Sequence, residues 1–227
     1  MQADIDSIKL SRLFQDLPET SVAQLAMRIS RRHVPAGQRL FRAGDHGTSF
    51  YIIQEGDVTI SISTPTGQEI TLALLGPGDS FGELALLDDE PRSATATVTQ
   101  DSQLLTLQRN DFLEVIQTEP AALTAFLSNL AGVIRNMNMR LADVVTLNAG
   151  HRLARVFNKL MDRDGIPSEA GIIIDRPLSS TDLGGLAGLH TVHVDRLLRD
   201  LEYDSVLSRR EDGLWIVHRP EVLRAGN

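Results

Sequence analysis

The sequence of 227 residues contains no cysteine. This absence excludes disulfide bonds, cysteine zinc sites and a cysteine nucleophile. No apolar run approaches the roughly 18 residues that a membrane-spanning helix needs. The first residues are acidic, with Asp4 and Asp6, whereas a secretory signal begins with a basic segment followed by an apolar one. We therefore expect a cytoplasmic protein without membrane association.

Catalytic motifs are missing as well. The chain has no Gly-x-Ser-x-Gly, Walker or dinucleotide-binding pattern. Its six histidines do not have the spacing of metal ligands. We predict that the protein is not an enzyme and that it has neither a metal site nor a cofactor.

Charge is distributed unevenly along the chain. Residues 1–147 hold 11 Lys and Arg against 18 Asp and Glu, a net charge of −7, and residues 148–227 hold 11 against 12, a net charge of −1. The total is the −8 of the whole chain. The nearly neutral second part is compatible with a small nucleic-acid-binding region, but it lacks the strong basic excess that would identify one.

A β-sheet pattern occupies most of the first part. From Val34 to about Gln108, short apolar runs alternate with turns rich in Gly, Pro, Asp and Thr. The runs cover residues 39–41, 50–53, 58–62, 70–75, 95–98 and 104–107. This pattern predicts a small antiparallel barrel or jelly roll, and the apolar spacing of the first 30 residues predicts helices before it.

A long helix is predicted over roughly residues 120–147. Its apolar residues are alternately four and three positions apart, as in a two-stranded coiled coil. They are Leu123, Leu127, Leu130, Ile134, Met137, Leu141 and Val144. This seam predicts a parallel homodimer. The alternative is a helix packed on its own barrel, for which a period of 3.6 residues would serve as well.

The remaining residues have the pattern of a winged helix. A helix around residues 153–160, a polar loop over 162–171 and a strand over 172–174 come first. Two short helices hinged at Gly188, the first capped by Ser179 or Ser180, predict a helix-turn-helix, and Asp212-Gly213 predicts a following hairpin. The predicted class is α+β, with domains at 1–118, 119–147 and 148–227.

The segment from Phe81 to Val98 carries the clearest chemical signal. The guanidinium fork of Arg92 suits the equatorial oxygens of a cyclic phosphate, and the carboxylate of Glu83 can accept from a ribose 2′-hydroxyl. Backbone amides at the start of a short helix and the Ser93 hydroxyl would complete the anion site. The alternative is a surface ion pair between Glu83 and Arg92 on a β-turn.

This segment resembles the phosphate-binding cassette of cyclic-nucleotide-binding domains, because it contains Phe-Gly-Glu-Leu-Ala-Leu and Pro-Arg-Ser-Ala-Thr. Nearly the whole chain resembles the cyclic AMP receptor protein/Fnr family of bacterial transcription regulators, which join a barrel, a dimer helix and a winged helix-turn-helix. The resemblance implies a homodimer that binds double-stranded palindromic DNA and a small-molecule effector, cyclic AMP or cyclic GMP, with RNA polymerase as a further partner. It places at the ligand Phe81, Gly82, Glu83, Leu84, Arg92, Ser93 and Ala94.

The chain departs from the family pattern at the nucleotide base. In cyclic AMP-binding members, a Thr-Ser pair on the dimer helix contacts adenine, and those positions fall on Met137 and Asn138 here. The Asn138 amide can pair with a purine edge, so the identity of the base stays open. The absence of cysteine excludes the family's iron–sulfur oxygen sensing. Haem is not expected, since the barrel offers only His33 and His46 as axial histidines.

The predicted recognition helix departs from the family pattern too. Of the polar residues in the frequent family sequence Ser-Arg-Glu-Thr-Val-x-Arg, only Arg196 is kept, and it can make a bidentate contact with guanine. The predicted DNA contacts are Ser179, Ser180, His190, Thr191, His193, Arg196 and Arg199.

Two alternatives to an effector-controlled DNA-binding protein therefore stay open. Residues 178–200 carry a net charge of −1, which is unfavourable for DNA binding and leaves open a cyclic-nucleotide-binding interaction module that does not bind DNA. The second alternative is a family member with a vestigial pocket that binds DNA without cyclic nucleotide.

Overall fold

The computed structural model describes residues 2–64, 67, 69–88 and 90–225. Contacts divide the chain into two compact units, Met1–Ile62 with Ala73–Met137 and Ser63–Leu72 with Asn138–Asn227. Both units combine helices with antiparallel strands, which confirms the predicted α+β class. No helix among the described residues is long and apolar enough to cross a lipid bilayer.

The first unit is built around a six-stranded sheet with helices before and after it. Its elements in chain order, three of which continue into the second unit, are α1 (Gln2–Leu10), α2 (Glu19–Arg28), β1 (Ser30–Val34), β2 (Arg39–Phe41), β3 (Ser49–Ser63), β4 (Glu69–Leu75), β5 (Ser80–Phe81), α3 (Leu84–Leu87), β6 (Thr95–Gln108), α4 (Arg109–Thr118) and α5 (Pro120–Thr146). The strand order is β1-β6-β3-β4, with β2 paired to β6 and β5 paired to β3.

Two long strands replace four shorter ones that the sequence pattern predicts. The runs 50–53 and 58–62 both lie in β3, and the runs 95–98 and 104–107 both lie in β6. The residues around Glu55, which the pattern suggests as a turn, form irregularities in the pairing of β3 with β6 between Ile53 and Val58. A bulge of this kind bends a strand while the pairing continues on either side.

Four phenylalanines pack the helices against the sheet. The rings of Phe14 and Phe50 meet edge to face with centroids 5.0 Å apart, and those of Phe112 and Phe126 lie 4.8 Å apart. All four side chains are fully buried. Phe112 belongs to α4, a helix that the sequence pattern does not predict, and Phe126 belongs to α5. The first half of α5 is thereby anchored to the sheet.

The opposite side of α5 is apolar and exposed. Leu127 is 52% exposed, Ile134 52%, Met137 65% and Leu141 64%. Leu130 packs against the core of the first unit, and the side chain of Val144 lies outside the described residues. The predicted long helix is confirmed, and its exposed apolar seam is a surface that water solvates poorly.

Helix α1 is tied to β1 by a two-point ion pair. Nε and Nη2 of Arg31 donate to the two carboxylate oxygens of Asp4, each at 2.9 Å. Asp4 is buried, and the hydrogen bonds from Arg31, assisted by its charge, hold the pKa of this carboxyl below its ordinary value despite the opposing effect of burial. The pair therefore favours the ionised carboxylate in the folded state.

We expect Arg31→Ala to lower the free energy of unfolding at neutral pH, because it removes both hydrogen bonds to the buried Asp4 carboxylate. Because the folded pKa of Asp4 is the depressed one, this stabilisation is present above the unfolded pKa of about 3.9 and is lost as the pH falls through the folded value. Urea unfolding from pH 7 downwards should show the two proteins converging in acid. Lys9→Ala, which breaks the exposed pair of Lys9 with Glu19, is the control. A pH-independent difference for Arg31→Ala would contradict the assignment.

The second unit contains the remaining elements. They are α6 (Ala149–Asp164), β7 (Gly165–Ser168), β8 (Gly171–Ile174), α7 (Ser180–Ala187), α8 (Thr191–Tyr203), β9 (Leu207–Arg209), β10 (Trp215–Val217) and α9 (Pro220–Ala225). The strands form a sheet in the order β7-β8-β10-β9. The prediction of a loop over 162–171 is wrong, because α6 continues to Asp164 and residues 165–168 pair with β8 to form an added edge strand.

Two contacts hold the helix pair α7 and α8 in place. The indole N–H of Trp215, on the hairpin, donates to the carbonyl of Leu178 just before α7 at 3.1 Å, and its ring meets Phe157 edge to face. Nη1 of Arg152 on α6 donates to the carbonyl of Gly188, in the turn between α7 and α8, at 3.0 Å. Both partners are main-chain carbonyls, so the contacts fix the course of the backbone itself.

The start of β4 packs directly on α7 within this unit. The buried Thr71 donates through Oγ1 to Oδ1 of Asp182 at 2.9 Å. A Cβ atom added at Gly185 would lie 2.1 Å from the carbonyl oxygen of Thr71 and 2.8 Å from its nitrogen. The backbone at Gly185 lies directly against the backbone at Thr71, and only glycine permits so close an approach.

We expect Gly185→Ala to lower the free energy of unfolding by about 1–3 kcal/mol, because the new methyl group must displace the backbone around Thr71. Gly132→Ala is the matched control. Gly132 also lies inside a helix, but the nearest atom to an added Cβ there is the end of Arg135, at 3.9 Å. Its better helix propensity should make Gly132→Ala neutral or stabilising by up to about 1 kcal/mol. Equal effects of both substitutions in thermal unfolding would refute the close contact.

Candidate functional site

The cassette segment is positioned by β3 and β5. Phe81 pairs with Tyr51, and their rings stack with centroids 5.1 Å apart at an interplanar angle of 14°. Gly82 follows with φ of +78°, a left-handed conformation that side chains disfavour, and turns the chain into the short helix α3. The residue pattern Phe-Gly-Glu thus places Glu83 at the start of a helix next to the sheet.

Arg92 lies at the centre of the segment and is almost completely buried, with 8% of its surface exposed. Its backbone N–H donates to the carbonyl of Asp45 and its carbonyl accepts from Gly44, both at 2.8 Å. Its Nη2 donates to the carbonyl of Ser49 at 2.7 Å. The guanidinium carbon lies 4.1 Å from the centre of the Phe41 ring. Neighbouring chain segments therefore fix both the backbone and the side chain.

Two glycines leave the space that the guanidinium fills. A Cβ added at Gly47 would lie 2.8 Å from Nε of Arg92, and one at Gly82 would lie 2.8 Å from Nη1. A side chain at either position would displace the guanidinium. The sequence carries no recognisable signal for the contribution of Gly47, which is 45 positions before Arg92.

The buried guanidinium has no paired carboxylate. Among the described residues, no direct ion pair joins Arg92 to Glu83 or to another acid, and its Nε is buried without a hydrogen-bond partner. Burial lowers the pKa of Arg92, whereas Tyr51, Glu83 and Asp45 act in the opposite direction by their charge. The alternative of a surface ion pair therefore does not describe this arginine. A buried cation without a direct ion-pair partner favours an added anion.

The other predicted ligand residues surround Arg92 along the chain with differing exposure. Glu83 and Ala94 are half-buried, whereas Leu84 and Ser93 are exposed. Asp89, within the same segment, lies outside the described residues. The exposed hydroxyl of Ser93 and the half-buried carboxylate of Glu83 are thus accessible polar groups next to a buried cation. This combination suits a ligand with both a phosphate and a hydroxyl group.

The two positions predicted to meet the base lie on α5. Met137 is 65% exposed, and Asn138 is also exposed. The side chain of Met137 offers no hydrogen-bond donor, whereas the amide of Asn138 offers both a donor and an acceptor. Base recognition by these residues stays a prediction.

The predicted DNA-contacting residues lie on or next to α7 and α8. Four of them on or before α8 are exposed: His190, His193, Arg196 and Arg199. Ser179 is exposed, and Ser180 and Thr191 are half-buried. Within the described part of the chain, neither Arg196 nor Arg199 takes part in an ion pair. Their donors are thus available to an acceptor such as a base edge or a phosphate.

Both helices begin with side-chain caps. Ser179 caps α7 in a reciprocal arrangement, in which its hydroxyl accepts from the N–H of Asp182 and its own backbone N–H donates to the Asp182 carboxylate. His190 caps α8, and its Nδ1 accepts from the N–H of Val192. The Ser179 hydroxyl accepts the capping bond and donates separately to the Asp182 carboxylate, so a phosphate contact by that hydroxyl would replace the donated bond and leave the cap closed. The Asp182 carboxylate, one of the three acids between residues 178 and 200, accepts hydrogen bonds from Ser179 in this arrangement.

Several residues of the site are not found by sequence reasoning. Phe41, Gly47 and Ser49 complete the surroundings of Arg92 from chain segments more than 40 positions away, and no local pattern indicates them. Val192, in the first turn of α8, is 65% exposed and is not among the predicted DNA contacts. A signal did exist for Val192, since it falls outside the buried stripe that includes Val194 and Leu198.

Comparisons with known proteins agree with this geometry. A family profile described as the cyclic nucleotide-binding domain matches residues 31–119, and one described as the Crp-like helix-turn-helix domain matches residues 151–225. The cyclic AMP receptor protein of Thermus thermophilus is 34% identical over 200 residues, 88% of this chain and 89% of that protein. A CRP-like cAMP-activated global transcriptional regulator of Mycobacterium tuberculosis is 28% identical over 191 residues, 84% and 85% of the two chains.

The fold of this chain is also found among solved protein structures. The structure of the c-di-GMP responsive global regulator CLP from Xanthomonas campestris matches with a TM-score of 0.74 at 20% identity, covering 88% of this chain and 99% of that one. At this identity, the match concerns the fold alone. In the described part of the chain, no three His, Cys, Asp or Glu side chains are grouped so that they can hold a metal ion.

Proposed function

Since the chain belongs to the cyclic AMP receptor protein/Fnr family of transcription regulators, and not to a family of enzymes, we propose that it is a homodimer whose DNA binding is controlled by a cyclic purine nucleotide. The effector is cyclic AMP or cyclic GMP. The DNA is a palindromic duplex, and RNA polymerase is the further partner expected of a regulator bound near a promoter. A protein with these partners acts in the cytoplasm.

The observation that carries the proposal is the buried guanidinium of Arg92, which has no direct ion-pair partner among the described residues. Its Nε has no partner among the described residues, and its surroundings are an aromatic ring, two glycines and main-chain carbonyls. A cyclic phosphate would supply the missing charge and acceptor oxygens. Charge-assisted hydrogen bonds to a buried guanidinium are among the stronger polar contacts that a protein can form. The neighbouring Glu83 carboxylate can accept from the ribose hydroxyl.

DNA binding is supported by the exposed, unpaired arginines on α8. Arg196 can donate to O6 and N7 of guanine in the major groove, and Arg199 can reach the backbone. In a symmetric dimer, two such helices enter successive major grooves about 34 Å apart, which requires a palindromic site. The exposed apolar seam of α5 supplies the surface on which two chains can associate.

Control by the effector requires a difference in affinity between two states. A nucleotide that binds equally to both states shifts nothing, so the DNA-binding state must hold it more tightly. By the same linkage, operator DNA must raise the affinity for the nucleotide. This reciprocity gives a test that does not depend on where the two sites lie.

The testing experiment is calorimetric titration of the full chain with cyclic AMP, cyclic GMP and a cyclic dinucleotide, followed by selection of palindromic duplexes at low salt with and without the nucleotide that binds. We expect micromolar or tighter binding of one purine nucleotide and a duplex whose affinity rises in its presence. If none of the three nucleotides binds and DNA binding is retained, the result would indicate the vestigial pocket. Nucleotide binding without any salt-dependent DNA binding would indicate the interaction module.

A further inference from the structure

Val192 is a large apolar side chain in an unusual place. It lies in the first turn of α8 and is 65% exposed, although Val194 and Leu198 of the same helix are buried in the unit. The residues that follow it on the same face of the helix, Asp195 and Arg196, are charged and exposed, so Val192 does not continue into an apolar patch along α8. Packing within the unit therefore does not explain why position 192 carries an exposed apolar side chain.

The side chain shares a face of α8 with the two unpaired arginines. Arg196 and Arg199 follow Val192 by four and seven positions, which places all three along one side of a helix. All three are exposed, and the guanidinium groups take part in no ion pair within the described residues. Val192 occupies the N-terminal end of this row, the end of a recognition helix that enters the major groove most deeply.

Only one group in the major groove matches such a side chain. The edges of guanine, cytosine and adenine there present hydrogen-bond donors and acceptors, which an isopropyl group cannot satisfy. Thymine alone adds an apolar methyl group at C5. Pairing Val192 with any other base edge would desolvate a polar group without a partner.

From this row of residues we propose that Val192 is a specificity-determining residue that selects thymine in each operator half-site, close to the guanine contacted by Arg196. The proposal rests on the DNA binding proposed above. It adds a second kind of contact to the arginine contact, because recognition here depends on a methyl group and not on a hydrogen bond. Thymine would be required at this position even though no hydrogen-bond donor or acceptor of the protein contacts it.

The test uses duplexes that differ by one methyl group. An operator is first selected with the full-length wild-type chain, and each thymine of the half-site is then replaced, one position at a time, by deoxyuridine. Affinity is measured by fluorescence anisotropy for wild type and Val192→Ala. We expect one half-site position at which the loss of the methyl group lowers wild-type affinity about 3- to 10-fold. For Val192→Ala, the same replacement should change affinity less than about twofold.

Val222→Ala is the matched control, because Val222 is also an exposed valine but belongs to α9. This variant should keep the full sensitivity to deoxyuridine. Equal sensitivity in wild type and Val192→Ala at every position, or none in either protein, would overturn the proposal. That result is distinct from failure of the proposed function, in which the wild-type chain would select no duplex at all.

Discussion

Replacing Arg92 by alanine is expected to weaken cyclic nucleotide binding by at least about 100-fold. The substitution removes a guanidinium that is nearly fully buried and has no carboxylate partner in the described structure, so the cyclic phosphate would lose its principal counter-charge and two or more donors. Charge-assisted hydrogen bonds contribute roughly 1.5–3 kcal/mol each, and 2.7 kcal/mol corresponds to about 100-fold in affinity. Isothermal titration calorimetry of the purified variant measures the change directly.

The controls separate lost recognition from lost structure. Arg92→Lys keeps the charge but not the planar fork, and we expect it to bind more weakly than wild type and more tightly than Arg92→Ala. Arg42→Ala removes an exposed arginine from the same part of the chain and should leave binding unchanged. Because Arg92 also packs on Phe41, thermal unfolding of each variant is measured first. Unchanged nucleotide affinity in a folded Arg92→Ala protein would refute the assigned site.

The second large effect is expected on the exposed seam of α5. The double variant Leu127→Glu with Leu141→Glu should shift the protein from dimer to monomer. Both leucines are more than half exposed in the single chain, so the substitutions should leave its fold intact. In a dimer they would bring four carboxylates into an apolar interface, and an uncompensated buried charge costs about 3–5 kcal/mol. We expect the dimer dissociation constant to rise by more than about 1,000-fold in sedimentation velocity.

Ser128→Glu provides the comparison within the same helix. Ser128 neighbours Leu127 but is exposed outside the apolar seam, so its substitution adds a charge without burying it. The variant should remain dimeric and should keep its affinity for a palindromic duplex, whereas the double variant should lose most of that affinity. A double variant that still sediments as a dimer would show that the seam of α5 is not the interface.

Much of the fold could be predicted because the spacing of apolar residues in the sequence matches the periods of its helices and strands. The heptad spacing gave α5 almost to its ends, and the Gly188 hinge with the Asp-Gly turn gave the helix pair and the hairpin. The failures have physical causes. Helix α4 follows directly on a strand, and its buried residues are Phe112, Val115 and Ile116, too short a pattern to separate from its surroundings.

The candidate site could be predicted only where its residues are close in sequence. Glu83 and Arg92 belong to one continuous segment, and their chemistry is readable from it. The ring of Phe41, the carbonyl of Ser49 and the free space at Gly47 are brought to Arg92 by strand pairing. Every residue has a backbone carbonyl oxygen, so the residue type at position 49 does not indicate that its carbonyl accepts a hydrogen bond from Arg92. Burial of the guanidinium, the property that favours an anion, arises from these distant groups.

Strand β4 takes part in both compact units, since Ser63–Leu72 packs with the second and Ala73 onwards with the first. An exchange of whole domains between two such regulators would place the crossover at the junction between the domains. In this chain, a crossover after α5 would separate Thr71 from its partners Asp182 and Gly185 and bring a foreign surface against the strand. The segment 63–72 should therefore be inherited with the DNA-binding half, although it is encoded within the sensor half, and a working chimera must transfer the two together.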